Sequence, residues 1–375
     1  MKPIYLDYNA TTPVDPRVAE SMLPYLTEHF GNPSSSHAYG RRTREAVDRA
    51  RKQVASLLGA TTEEIIFTSG GSESNNLAIK GVAEANADKG RHIITSAVEH
   101  PAVTEVCASL EARGWRVDTL PVDSTGLLDL ASVEKALSDE TVLVTVMHAN
   151  NEVGTIQAIA EIAELAHAHG ALMHTDAAQS IGKIPVRVDD LGVDLLSVAG
   201  HKLYAPKGVG ALYVRNGVAL KKQTHGADHE GNLRAGTENV LEITGLGMAC
   251  EIVDENLAST PAKLTALRDR LETELRERFP NLVVNGNLEG RLPNTASVSF
   301  PGLEASTLLA GLEGVAASAG AACHADGVSV SAVLSAMQVP LDIAKGTLRL
   351  SIGRFTTEAE IDTAVDLITK AAGSA

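Results

Sequence analysis

Apolar residues in this chain gather in short unbroken runs. Residues 65–68, 92–95, 142–147, 171–175, 194–198 and 209–214 are rich in Val, Ile and Leu and show no polar alternation. Runs of this kind predict strands buried on both faces, hence a mostly parallel sheet covered by helices. Between them the period lengthens to that of a helix. Residues 41–58 place Ala46, Ala50, Val54 and Leu57 on one face, the stripe that a core-facing helix needs. Residues 75–86 and 159–169 predict further helices. After about residue 255 the pattern changes. A charged helix over 262–279 carries Leu264, Leu267, Leu271 and Leu275 in a stripe, followed by strand-like segments at 282–285, 295–300 and 348–352 and a last helix from about Glu358. The expected fold class is α/β, with a second, smaller α+β unit.

A chain of 375 residues suits two domains. Its 44% apolar and 21% charged residues are those of a folded globular protein. The net charge of −15 argues against a nucleic-acid partner, which calls for clustered Lys and Arg. No stretch reaches the ~20 apolar residues of a membrane span, and residues 1–7 carry no apolar signal core. Three cysteines, Cys107, Cys250 and Cys323, are too few for a disulfide framework or a thiolate metal site. A reduced, cytoplasmic protein is expected.

Four segments place chemistry directly after a predicted strand, where open α/β sheets bind ligands. Thr68-Ser69-Gly70-Gly71-Ser72-Glu73 reads as a glycine turn opening a helix, whose free N–H groups can hold an anion. His174-Thr175-Asp176-Ala177-Ala178-Gln179 ends a strand on a carboxylate, either a helix cap or the partner of a protonated ring nitrogen. Ala199-Gly200-His201-Lys202 sets a lysine among small residues beside a buried strand, where desolvation would make it a Schiff-base nucleophile. Lys207, nearby, reads as a solvated loop lysine. Glu99-His100-Pro101 holds a histidine extended, able to stack on a planar ring or to move a proton. Each segment alone has a plainer structural reading. Together they describe a site for pyridoxal phosphate.

These segments, with Tyr5-Leu6-Asp7-Tyr8-Asn9-Ala10-Thr11-Thr12-Pro13, Gly31-Asn32-Pro33-Ser34-Ser35, Asn150-Asn151-Glu152-Val153-Gly154, Arg234-Ala235-Gly236-Thr237 and Ser351-Ile352-Gly353-Arg354-Phe355-Thr356, span nearly the whole chain. In them the sequence resembles the cysteine desulfurase and selenocysteine lyase family, pyridoxal-phosphate enzymes of the class V aminotransferase group with the fold type I architecture. The resemblance implies a large domain over 15–255 built on a mostly parallel, seven-stranded sheet. It implies a small domain from 1–14 and 256–375 that carries the Cys323 loop and Arg354.

The resemblance also assigns roles. Lys202 resembles the lysine that bonds the cofactor, Asp176 the partner of its pyridine nitrogen, and Gln179 the partner of its phenolic oxygen. His100 would stack on the ring and move protons. Gly71, Ser72 and His201 would hold the phosphate, with Thr237 reaching in from the second subunit of a homodimer. Asn151 and Arg354 would hold the substrate carboxylate. Cys323, in Ala319-Gly320-Ala321-Ala322-Cys323-His324-Ala325-Asp326-Gly327, stands where the family carries its persulfide-forming cysteine, and the small residues around it predict an exposed loop. Cys107 and Cys250 read as buried apolar residues.

Two positions depart from many desulfurases. Ala199 stands where a phosphate-binding serine is common, and the Cys323 loop lacks flanking serines. The Cys-His pair, the Asp-Tyr-Asn-Ala-Thr-Thr-Pro opening and Gly236-Thr237-Glu238-Asn239 look closer to selenocysteine lyases. The implied activity is conversion of L-cysteine to L-alanine, with a persulfide on Cys323 for a sulfur-acceptor protein. The alternatives are cleavage of L-selenocysteine to alanine and selenide, or transamination on the same scaffold.

Overall fold

The computed structural model describes residues 3–324 and 327–374, and the side chains of 321–329 and 374 lie outside that description. Its centre is a seven-stranded sheet in the order Ile65–Thr68, Gly210–Val214, Leu195–Ala199, Leu172–Asp176, Thr141–Thr145, His92–Ser96, Arg116–Leu120. Gly210–Val214 runs antiparallel to both of its neighbours, and the other six strands share one direction. Their carboxyl ends therefore open on a single edge.

Burial on both faces accounts for the unbroken apolar runs. Ile94, Val144, Leu196 and Tyr213 pack on one face with Val47, Val54, Ile162, Ala249 and Ile252, from the helices Ala38–Leu58, Ile159–Ala168 and Val240–Asn256. Their chain neighbours Ile93, Leu143, Leu195 and Leu212 pack on the other face with Leu77, Val82, Val106 and Leu110, from Gly71–Ala85 and Pro101–Glu111. Cys107 and Cys250 are buried within these two layers, and burial pushes the Cys107 thiol up to about 12. The strand Arg116–Leu120 escapes the apolar criterion because it lies at the sheet edge, half exposed and largely polar.

A second, antiparallel sheet orders Ser318–Ala319, Thr347–Ser351, Thr295–Ser299 and Val283–Val284. The helices Thr260–Arg278 and Glu358–Ser374 cover it through Leu264, Leu267, Leu271, Ile361, Val365 and Ile368. The N-terminal strand Ile4–Tyr5 pairs with Val315–Ala316, which ties the start of the chain to this later unit. Ala321–His324 and Gly327–Val330 form a hairpin with Cys323 opposite Val328. The loop expected around Cys323 is thus corrected to a strand pair, and the exposure expected for its side chain lies outside the described residues.

Candidate active site

A cavity of about 360 Å³ opens at the carboxyl edge of the large sheet. Asn9, Gly71, Ser72, Asn75, His100, Asn151, Asp176, Gln179, Ala199, His201, Lys202 and Arg349 line it. Of the residues singled out by sequence, Gly71, Ser72, His100, Asn151, Asp176, Gln179, His201 and Lys202 come together here.

The phosphate cup starts at Gly70, whose φ of 148° lies outside the range an L side chain readily adopts. This turn sends the chain from Ile65–Thr68 into the helix Gly71–Ala85, whose first-turn N–H groups have no intrahelical acceptor. Glu73 accepts from Ser69 N at 2.7 Å and from Arg234 Nε at 2.9 Å, bracing the turn from outside. Ala199 floors the cup: a Cβ on Gly71 would stand 3.2 Å from the Ala199 Cβ.

Asp176 ends its strand almost completely buried. It accepts from Asn75 Nδ2 at 2.7 Å and from Ala178 N at 2.9 Å. Asn75 Oδ1 is buried without a partner, so polar capacity in this corner is unfilled. Gln179 follows three residues later, donating from Nε2 to Asn9 O at 2.9 Å.

Lys202 sits in a short 3-10 turn directly after Leu195–Ala199. Its Nζ donates to the carbonyls of Asn9 and, at 2.8 Å, Ala10. Burial first, then the Arg349 guanidinium, lower its pKa to about 8 against the pull of Asp176 and Asp7. An appreciable fraction is therefore a free amine near neutral pH. Lys207 is exposed, as the sequence suggested.

His100 caps the helix Pro101–Glu111, its Nδ1 accepting from Ala102 N at 3.0 Å. Burial holds its pKa below the usual imidazole range; Asp176 opposes that shift and Lys202 adds to it. The ring is thus neutral with its proton on Nε2. His201 is pushed down to about 4 by burial, then by Lys202, Lys207 and His100, and its Nδ1 lies 3.1 Å from Thr11 Oγ1.

Two expected site residues, Thr237 and Arg354, lie elsewhere, and the side chain of a third, Cys323, lies outside the described residues. Thr237 is exposed and outside this chain's cavity. Cys323 is placed only by its hairpin strand. Arg354 is turned away from the cavity: its Nη2 is 2.7 Å from Asp15 Oδ2, and its guanidinium carbon lies 4.1 Å from the Tyr204 ring centre. The cavity arginine is Arg349, with Nη2 on Asp7 Oδ1 at 2.8 Å and Ser318 Oγ at 3.0 Å, and Nη1 on Asn151 O at 3.2 Å. In this structure the expected Arg354 is not brought to the cavity, and Arg349 is. Arg349 had a signal in the sequence: it alternates with the buried Leu348 and Leu350, so its side chain leaves the opposite face. Asn9 was visible only as part of the segment 5–13, with no role of its own, and Asn75 had no signal, since their partners are remote in the chain.

Residues 4–364 match the family model "Aminotransferase class-V". The chain is 48% identical over 367 residues to "Cysteine desulfurase IscS" of Dictyoglomus turgidum, covering 97% of this chain and 93% of that one. It is 48% identical over 376 residues to the protein of the same name from Klebsiella pneumoniae, covering 99% and 93%. Among solved structures it is similar to a "NIFS-LIKE PROTEIN", with TM-score 0.94 and 39% identity over the whole of both chains. It is similar also to "SspA in complex with cysteine", with TM-score 0.82 and 37% identity, covering 94% of this chain and 99% of that one. With the cavity built at the sheet edge as described, the chain belongs to the class V aminotransferase family and, within it, to the cysteine desulfurases.

Proposed function

We propose that this protein is a pyridoxal-phosphate-dependent cysteine desulfurase, converting L-cysteine to L-alanine and passing the sulfur through Cys323 to an acceptor protein. One observation carries the reading: a lysine of lowered pKa, a buried carboxylate, a neutral histidine, a helix N-terminus and an arginine all face one cavity. The donor set fits the cofactor. Asp176 suits a protonated ring nitrogen, Ser72 with the first turn of its helix suits a phosphate, and the unpartnered Asn75 Oδ1 marks polar capacity beside Asp176. Ala199 offers no hydroxyl, so Ser72, His201, the N–H groups and a Thr237 contributed by a second copy would share the phosphate. When bound, pyridoxal phosphate supplies an electron sink for the carbon that bears the substrate amine.

The chain's own residues do the rest. Arg349, held from behind by Asp7 and Ser318, presents a planar cation to the substrate carboxylate, and Asn151 lines the same wall. Lys202, part neutral near pH 7, takes the proton from the α-carbon. His100 holds a proton on Nε2 at the opposite rim. The Cys323 thiolate takes the sulfur: the substrate C–S bond breaks, an S–S bond forms, and the carbon left behind accepts a proton to give alanine. The proposed protein is a cytoplasmic homodimer of two-domain subunits. No helix among the described residues is long and apolar enough to cross a membrane.

Incubation with L-cysteine, following alanine and persulfide, tests the reading. Keto-acid-dependent transamination without sulfur release would overturn it, and a monomer of full activity would remove Thr237 from the site.

A further inference from the structure

Lys183 has no part in the chemistry above, yet it is only 6% exposed. It stands one helical turn beyond Gln179, in the turn that follows Asp176. Among the described residues it has no carboxylate partner. Its Nζ donates instead to two neutral acceptors, Gln179 Oε1 at 2.9 Å and Asn9 Oδ1 at 3.3 Å. The charged and titratable groups around it are Lys202 and Arg349 and, across a void of about 20 Å³, Tyr8, Tyr204 and Arg354. None is an anion at neutral pH. Burial drives the Lys183 pKa well below its ordinary value, and Lys202 and Arg349 push the same way.

One of the two acceptors, Asn9, seats Lys202 through its carbonyl, and the other, Gln179, donates to that same carbonyl. The same Asn9 Oδ1 also accepts from Asn294 Nδ2 at 3.0 Å, and the Asn9 Nδ2 reaches Thr295 Oγ1 at 2.8 Å. Lys183 thus holds Asn9 by the side chain while Lys202 holds it by the backbone. With Lys183 Nζ donating to Oε1 and Asn9 O accepting from Nε2, the Gln179 amide is held from both ends, Oε1 inward and Nε2 toward Asn9 and the cavity.

We propose that Lys183 is a positioning residue, which fixes the donor edge of Gln179 and the place of Asn9 and through them sets the seat of the Lys202 amine. The inference rests on the pyridoxal-phosphate reading, because the cavity face of Gln179 matters only toward a ligand there. Without Lys183 the amide is free to turn Oε1 toward the Lys202 nitrogen, which favours a proton on that nitrogen.

The experiment is a pH titration of the visible band of the cofactor-loaded enzyme, whose midpoint reports that proton. Lys183→Met should raise the midpoint by about one pH unit, and Lys183→Arg, which keeps donors in place, should return it to within about 0.3 unit of wild type. In a Gln179→Leu background, Lys183→Met should move the midpoint by less than about 0.3 unit, because the two act as one unit. A purely structural role predicts a lower melting temperature with the midpoint unmoved, or equal shifts in both backgrounds; either result overturns the proposal. Wild-type protein that shows no titratable band would overturn the cofactor reading together with this one. A wild type that titrates normally beside an unmoved Lys183→Met overturns this one alone.

Discussion

Under the proposed function Arg349 holds the substrate carboxylate while Arg354, five residues on, braces the fold, and paired substitutions separate the two. Arg349 lines the cavity, its guanidinium held by Asp7, Ser318 and the Asn151 carbonyl. Arg354 is tied to Asp15, with side chains 18% and 7% exposed, and lies over Tyr204. Arg349→Lys keeps a charge but loses the planar donor set, whose Nη2 is held by Asp7 and Ser318 and whose Nη1 keeps one hydrogen for a carboxylate. A hydrogen bond to a charged group is worth about 1.5–3 kcal/mol, so loss of one should lower kcat/KM for cysteine by roughly 10–150-fold. The change should fall mainly on KM, with the bound cofactor's visible band retained. Arg349→Met should in addition raise the Lys202 pKa, since the guanidinium is the largest charge effect that lowers it. Arg354→Lys should behave differently. A weakened, mostly buried ion pair with loss of ring stacking costs on the order of 1–3 kcal/mol of stability, read as a melting temperature lower by several degrees. Its kcat/KM should stay within about fivefold of wild type. Steady-state kinetics with calorimetry on the same preparations decides. A specific rise in KM for Arg354→Lys, beside a kinetically normal Arg349→Lys, would refute the assignment drawn from the cavity.

The remaining tests address the lysine, the cup and the thiol. With a Lys202 pKa of about 8, cofactor capture by the apoprotein should rise about tenfold per pH unit below 8 and level above it, because only the free amine reacts. A profile still rising at pH 10, or capture by Lys202→Ala, would contradict the site. Ala199→Ser places a hydroxyl on the floor of the cup and should tighten cofactor binding by roughly tenfold, the worth of one hydrogen bond to a charged group; titration of apoprotein showing equal or weaker affinity would mean that the cup is already saturated. Cys323→Ala should abolish persulfide formation and alanine release from cysteine, while sparing much of any selenocysteine cleavage, since a selenol is the better leaving group. Full cysteine turnover by that variant would remove Cys323 from the reaction.

What could be read from sequence follows the geometry of the sheet. Asp176, Lys202, His100 and the Ser72 cup each stand just past an apolar run, and parallel strands bring their carboxyl ends to one edge. Chain order alone therefore predicted their convergence. The strand Arg116–Leu120 was hidden because an edge strand needs no apolar run. The choice between Arg349 and Arg354 turns on which face of the second sheet meets the first, and no local period encodes that. The roles of Asn9 and Lys183 were invisible for a related reason: the two are 174 residues apart and owe their meaning to the contact between them. The Cys323 segment read as a loop because its residues are small, yet small residues also pair as a hairpin.

The hairpin's attachment bears on how one thiol finds one sulfur atom. Just before Cys323, Ser318 pairs with Arg349 and Ala319 with Leu348 in the second sheet. Gly320 N then donates to Thr347 O at 2.8 Å, and Ser331 N, at the hairpin's far end, returns to Gly320 O at 3.0 Å. The strand that carries Arg349 is therefore the strand on which the hairpin is anchored. Ser318 closes the link again through its side chain, whose Oγ accepts from Arg349 and donates to Asp7. A substrate held by Arg349 is thereby placed relative to the base of the hairpin, while Asp176 and Lys202 belong to the other sheet. Arg349 and the hairpin base share one strand pairing, so under the proposed function the carboxylate anchor and the hairpin base are placed together. Weakening this anchorage should impair transfer to sulfur more than it impairs amino-acid binding.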